Sequence, residues 1–300
     1  MPASRMVDLD GPVHIADFGG HGPALVLVHG LGGSHVNWLA AGPLLARSAR
    51  VVALDLVAFG RTPPEGRSSG VSSNADLLAH FIEQEVQGPA VVVGNSMGGM
   101  ISLIAAARHP EHIAGVVLVD AALPRPSRSS VDGTVALAFA AYALPGLGEV
   151  FIRARATRLG PERFVRETLN LVCADPSRVA PDVVAAHVAL ARERFQTMPY
   201  ADRIFLDAAR SLMVTLAGKR RFLASIDSIT APGLILQGAR DRLVPVEAAR
   251  ELGRRRPDWA LEIYEDVGHA PQLEVPERFA ASVLGWLDGA GKAAAFAATA

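Results

Sequence analysis

The sequence predicts an α/β fold in which a mostly parallel central sheet is flanked by helices and interrupted by an all-helical insertion. Three observations carry that prediction. Short runs nearly continuous in Val, Leu and Ala recur up to Asp120; helical patterns lie between them; and the rhythm stops from about Leu123 to Ile229 before resuming. Strands covered on both faces read as unbroken apolar runs, and strands alternating with helices imply right-handed crossovers and parallel pairing.

The first predicted strand is PVHIADF (12–18), followed by ALVLVH (24–29), VVALD (51–55), AVVVG (90–94) and GVVLVD (115–120). Helices are expected from Asn37 to Ala46, from Asn74 to Val86 and from Met97 to His109, the last stopped by Pro110. Beyond Leu123 only helical stretches follow, separated by turns such as PRPS (124–127), LPGLG (144–148) and ADPS (174–177). Two more strands, GLILQG (233–238) and LEIYE (261–265), and a helix from Pro276 to Leu287 restore the alternation. The expected division is a core of residues 1–123 and 230–300 with a helical cap over 124–229. The alanine-rich tail AGKAAAFAATA is expected to fray.

Composition narrows the function classes. Half of the 300 residues are hydrophobic and 20% are charged, ordinary for a globular chain with a large core. A formal net charge of −1 supplies no global field towards nucleic acid or an anionic membrane. The one cysteine, Cys173, permits neither an intramolecular disulfide nor a cysteine metal cluster and reads as a small buried hydrophobe. The start, MPASRMVDLDG, does not read as a secretory signal. The strongest apolar stretch, VALAFAAYALPGLG (135–148), is broken by Pro145 and is shorter than the ~20 residues a bilayer span requires. A cytoplasmic protein without stable membrane insertion is expected.

The chemistry starts at Gly94-Asn95-Ser96-Met97-Gly98, a G-x-S-x-G placed between a strand and a helix. A sharp turn there lifts the Ser96 hydroxyl above the sheet, and glycines leave room for the chain segments that cross it. A serine hydroxyl needs a base. Of nine histidines, His269 lies in the loop after the last predicted strand, where its ring can return over the C-terminal edge of the sheet. His14, His21, His80, His109, His112 and His187 sit in surface-like or helical contexts, and His29 reads as a brace for its glycine-rich loop. Asp241, just beyond strand 233–238, is the leading candidate to orient His269, with Asp120 as the backup acid. The order Ser96, Asp241, His269 is the order such triads take along an open α/β sheet. A tetrahedral intermediate also needs oxyanion donors. The backbone N–H groups of Met97 and of Leu31, in the loop His29-Gly30-Leu31-Gly32-Gly33, are placed for that task.

Taken together, HGLGGS (29–34), ALDLVAFGRT (53–62), GNSMGG (94–99), GARDRLVP (238–245) and VGHAPQLE (267–274) resemble the α/β-hydrolase superfamily, in its branch with a helical cap after the sixth strand. The resemblance spans nearly the whole chain. One departure stands out: the D-x-P-G-x-G loop common in the family reads Asp55-Leu56-Val57-Ala58-Phe59-Gly60 here, which alters one wall of the pocket without touching the triad.

The resemblance implies a serine carboxylesterase or small lipase that cleaves esters with an apolar acyl or alcohol group through an acyl-enzyme. Relatives with an aspartate nucleophile are excluded by Ser96. C–C hydrolases of ring-cleavage (vinylogous diketone) products share GNSMGG and form the second reading. They typically carry a G-P-G-A-like loop and a tryptophan after the histidine, where this chain has Leu31-Gly32-Gly33-Ser34 and Ala270. A ligand receptor on the hydrolase fold with little turnover is the third. In each, the partner is a small molecule, and the reaction needs no cofactor or metal.

Overall fold

Eight strands form one sheet: β1 (Ala3–Asp8), β2 (Pro12–Gly19), β3 (Ala24–Val28), β4 (Arg50–Leu54), β5 (Ala90–Asn95), β6 (Ile113–Val119), β7 (Gly233–Gly238) and β8 (Ala260–Tyr264). The computed structural model describes residues 1–126, 132–198 and 201–291. The strand order is β1-β2-β4-β3-β5-β6-β7-β8, antiparallel at β1/β2 and β2/β4 and parallel elsewhere. The seven predicted strands are present. β1 is an addition that the sequence pattern did not reveal. It is an edge strand whose only buried side chain is Val7, so it lacks the apolar run that marks the interior strands.

Helices α1 (Gly42–Leu45), α2 (Val71–Phe81) and α3 (Met97–Arg108) lie within the first half of the sheet. The helix expected over Asn37–Ala46 is instead a 3-10 turn, His35–Trp38, and the single turn of α1. Residues 39–41 separate them, Gly42 and Pro43 open α1, and a side chain at Gly42 would meet the Phe18 ring at 2.5 Å. α2 starts three residues earlier than expected, and its end continues as a π turn, Ile82–Val86, closed by Gln87 in the left-handed region (φ 59°).

Between β6 and β7 run α4 (Gly133–Ala143), α5 (Leu147–Val172), α6 (Pro181–Thr197), α7 (Ala201–Ala217) and α8 (Lys219–Asp227), with no strand among the described residues of that segment. α5 breaks at Gly160 (φ 64°), ahead of Pro161. α4, whose sequence is apolar on nearly every face, buries Val135 and Tyr142 and leaves Leu137 72% exposed. α9 (Val246–Arg255), α10 (Pro271–Glu274) and α11 (Pro276–Trp286) complete the chain. The tail beyond Gly291 and Ser127 of the PRPS turn lie outside the described residues.

Alternation along the parallel strands sends side chains to two cores. Val92 of β5 packs on one face with α2, α3, α8 and α9 through Leu78, Ile101, Phe222 and Ala249. Val91 and Val93 pack on the other with Leu45 of α1 and Phe279 and Val283 of α11. All five parallel-paired interior strands end at one edge, where the loops bearing Ser96 and Asp241 emerge. Among the described residues, no helix is long and apolar enough to cross a membrane.

Candidate active site

Ser96 is the single residue between β5 and α3, with φ 55° and ψ −117°, a conformation that costs a non-glycine residue of order 1–3 kcal/mol. The surroundings hold it there. Its N–H donates to Val119 O (2.9 Å), and its own carbonyl accepts from Ala122 (2.9 Å) and Met100 (3.2 Å). Two glycines make the turn possible. A Cβ on Gly94 would stand 2.4 Å from Gly98 O, and one on Gly98 would stand 2.2 Å from Val28 O. The start of α3 is thus pressed against the ends of β5 and β3, with its positive end under Ser96.

His269 and Asp241 meet as the sequence suggests. His269 Nδ1 donates to Asp241 Oδ2 (2.7 Å), which fixes Nε2 as the free ring nitrogen. Asp241 Oδ1 accepts from the N–H groups of Leu243 (2.7 Å) and Val244 (3.0 Å), so its carboxylate is locked by its own loop. Ser96 and His269 both line one cavity. They are not hydrogen-bonded to each other in this structure; such contacts commonly tighten only when substrate binds. Asn95, the residue before Ser96, donates to His269 O (3.1 Å) and Val119 O (3.0 Å), tying the histidine loop to the serine turn.

The loop after β3 sits against Ser96 as expected. A Cβ on Gly30 would be 3.0 Å from Ser96 Cβ. Among the described residues, no protein acceptor takes the N–H of Leu31 or of Met97, which leaves both for a ligand. His29 does brace this loop. Its Nδ1 donates to Gly30 O (2.8 Å) and its Nε2 accepts from Leu56 N (3.0 Å). Burial holds the ring neutral, lowering its pKa to about 4.

Several residues escaped the sequence reading. Glu274 is buried, and its carboxylate accepts from Gly268 N (3.0 Å), Ala174 N (3.0 Å) and Asp175 N (2.9 Å). His269 N itself donates to Val172 O (2.6 Å). The histidine loop is therefore stitched to the end of α5, beside the buried Cys173, whose thiol burial pushes up to about 12. His14 is not surface-like as expected. It is buried on β2, where its Nδ1 donates to Asp55 Oδ2 (2.7 Å), and His35 Nδ1 reaches the same oxygen (2.9 Å). Asp55 also accepts from the backbone of His35 (2.6 Å) and Arg61 (2.9 Å). Burial alone would raise the Asp55 carboxyl, but the two histidines hold it well below the usual carboxylate range. His14, His35 and Asp55 are types that ligate metals, yet the ring nitrogens nearest Asp55 serve here as donors that brace the loop after β4. His187 on α6, also read as surface-like or helical, lines the cavity with a buried, unpartnered Nε2.

The cavity has a volume of about 1360 Å³ and a largely apolar lining. Ser96, His269 and Leu31 form its floor, and Phe139, Tyr142, Val165 and Phe205 from the helices between β6 and β7 form the opposite wall. Phe59, from the loop that departs from the family pattern, faces the same space. Arg194 of α6 donates to Gly60 O (2.6 Å) and Ala58 O (3.2 Å), fastening that helix to the loop.

Comparison with known proteins agrees with this fold. The model of the alpha/beta hydrolase fold family matches residues 23–276. The chain is 32% identical over 258 residues to a pimeloyl-(acyl-carrier protein) methyl ester esterase of Aromatoleum aromaticum, covering 85% of this chain and 94% of that one. It is 30% identical over 266 residues to a 2-hydroxy-6-oxo-2,4-heptadienoate hydrolase of Pseudomonas putida, covering 85% of each. The fold superposes on a thermophilic esterase of Thermogutta terrifontis with a TM-score of 0.70 at 23% identity, over 97% of this chain and 99% of that one.

Proposed function

The chain belongs to the α/β-hydrolase fold family, and on that premise we propose that it is a serine hydrolase cleaving carboxylic esters with an apolar acyl or alcohol group. The observation that carries this reading is one cavity lined by a strained serine, a carboxylate-bound histidine and Leu31, with Met97 next to the serine at the start of α3. Neutral His269 takes the Ser96 proton as Oγ attacks the ester carbonyl. The N–H groups of Leu31 and Met97 receive the oxyanion, each worth about 2.7–4 kcal/mol of barrier lowering. Asp241 holds the imidazolium, His269 then protonates the leaving alcohol, and water activated by the same histidine releases the acid. Residues 124–229 act as the cap that shapes the acyl and alcohol pockets and keeps bulk water off the intermediate.

A second reading, hydrolysis of a C–C bond in a vinylogous diketone, is supported by the likeness to the heptadienoate hydrolase. The same serine, histidine and donors could serve it. Ala270 leaves small the position after the histidine, which fits the ester reading better. Steady turnover of p-nitrophenyl esters, falling at least about 1000-fold in Ser96→Ala, is the expected result. Inert esters with rapid cleavage of a ring-cleavage dienoate would replace the ester reading with the C–C one. Tight binding of both without turnover would make the protein a receptor.

A further inference from the structure

Behind the His269–Asp241 pair stands a second aspartate that the ester mechanism does not use. Asp120 directly follows β6 and is fully buried. Its Oδ1 accepts two N–H donors, from Gln237 Nε2 (2.8 Å) and Gly238 N (2.8 Å), while Oδ2 has no donor. One carboxyl oxygen of Asp120, one of Asp241 and a ring nitrogen of His269 lie within 4.8 Å of one another. Gln237 Nε2 sits between the two acids and also donates to Asp241 Oδ2 (3.2 Å). Two carboxylates this close in a buried site do not both ionise, and a carboxyl oxygen with no donor is the one that carries a proton.

We propose that Asp120 is held as a neutral carboxylic acid whose Oδ2–H donates to Asp241, making it a positioning residue for the triad rather than a backup acid. This rests on the serine-hydrolase reading for its catalytic consequence, though not for the proton itself. Asp241 is already bound by His269, Gln237 and the N–H groups of Leu243 and Val244, a donor set that suits an ionised carboxylate. Asp120 has the opposite environment. Desolvation first, and then the charge of Asp241, drive its carboxyl well above the ordinary carboxylate range, with Glu274 adding to the effect. The pair thus presents His269 with one negative charge, not two. One charge is enough to keep Nδ1–H on Asp241 and the ring in its orientation.

The isosteric amide tests this directly. In Asp120→Asn the amide oxygen can keep both N–H bonds and the amide nitrogen can take over the donation to Asp241. Its kcat on an ester is expected within a few-fold of the parent, with the acid limb of kcat/KM unmoved. Asp120→Leu, which removes the donor, is expected to lose at least tenfold in kcat. An ionised Asp120 serving His269 would instead give a large loss in the Asn variant and move its acid limb to lower pH, which would overturn the proposal. Infrared difference spectra between Ser96→Ala and Ser96→Ala/Asp120→Asn provide a readout independent of turnover. A protonated carboxyl band at neutral pH, lost with Asp120, is expected, and its absence sinks the idea. Retention of ester hydrolysis in Ser96→Ala would overturn the triad reading and leave the infrared result standing.

The same proton has a thermodynamic sign. An acid kept neutral by the fold binds a proton that the unfolded chain releases above about pH 4, so it costs stability increasingly as pH rises towards its folded value. The melting temperature of Asp120→Asn relative to the parent is expected to rise with pH above about 4. A pH-independent difference would count against a neutral Asp120.

Discussion

Glu274 shows how a single buried carboxylate can hold in place a histidine it never touches, the base of the proposed reaction. It stands five residues beyond His269 at the end of α10, and its two oxygens accept three backbone N–H groups from two separate segments. Arg178 lies 3.7 Å away and forms a closer pair with Asp266 (2.9 Å), so the buried charge is also partly offset from the surface. Glu274→Gln keeps the volume but turns one acceptor into a donor facing N–H groups. A loss of at least about 2 kcal/mol is expected, because a charge-assisted bond to a buried group is worth roughly 1.5–3 kcal/mol and the unpaired donor adds its own cost. Urea unfolding measures that loss. Kinetics should show kcat falling with KM little changed, since the histidine loop is disturbed and the apolar pocket is not. A variant with reduced KM affinity but parental kcat would place Glu274 with the pocket instead. Ser96, Asp241 and His269 were legible in the sequence because each sits at a fixed offset from a strand end. Glu274 was not singled out and Asp120 was read only as a backup acid, since their contacts depend on separate chain segments meeting in space.

At the scale of elements, the interior strands were readable because burial on both faces leaves a run such as AVVVG no polar positions. β1 was unreadable for the converse reason: ASRMVD buries one side chain, and its pairing with β2 is decided by backbone bonds. The helical run after β6 was visible as a break in rhythm, but the way its helices fasten to the sheet loops was not. Its tightest join is at Gly268, where an added Cβ would meet Val172 O and Ala174 N, both at 2.6 Å. Gly268→Ala should therefore pry the end of α5 from the histidine loop and strain the His269 N–H to Val172 bond. Displacement of a catalytic group by about 1 Å can cost roughly 100-fold in rate, so a fall of at least tenfold in kcat is expected. Gly285, exposed on α11 with open space around it, is the contrasting position. Gly285→Ala should leave kcat alone and stabilise the protein by about 0.5–1 kcal/mol through helix propensity. Equal effects of the two substitutions on kcat would remove the argument from close approach.

For the whole molecule, the C-terminal edge of the sheet concentrates buried ionisable groups, and their linkage makes stability depend on pH in a defined direction. His29, with its pKa lowered from 6.5 to about 4 chiefly by burial, stays neutral in the fold while the unfolded chain takes up a proton. Between those two values the unfolded state binds more protons, so stability falls as pH drops through the window, by on the order of 3 kcal/mol from this one ring. His187, lowered to about 4 by burial and by the His35 charge, acts in the same window. Asp55 follows at lower pH. Its depressed carboxyl stabilises the fold above the ordinary carboxylate value of about 4, and that contribution is lost as pH falls further. The raised carboxyl of Asp120 works in the opposite sense and regains part of the loss on acidification. Urea unfolding at a series of pH values from neutral to about 4 should show a steady decline that begins near 6.5. His29→Gln can retain a donor for Gly30 O and an acceptor for Leu56 N, so it should fold with reduced stability at neutral pH. Its decline across the window should be shallower, not absent, because His187 remains. A slope equal to the parent's would show that the acid sensitivity arises elsewhere than beneath the glycine-rich loop after β3.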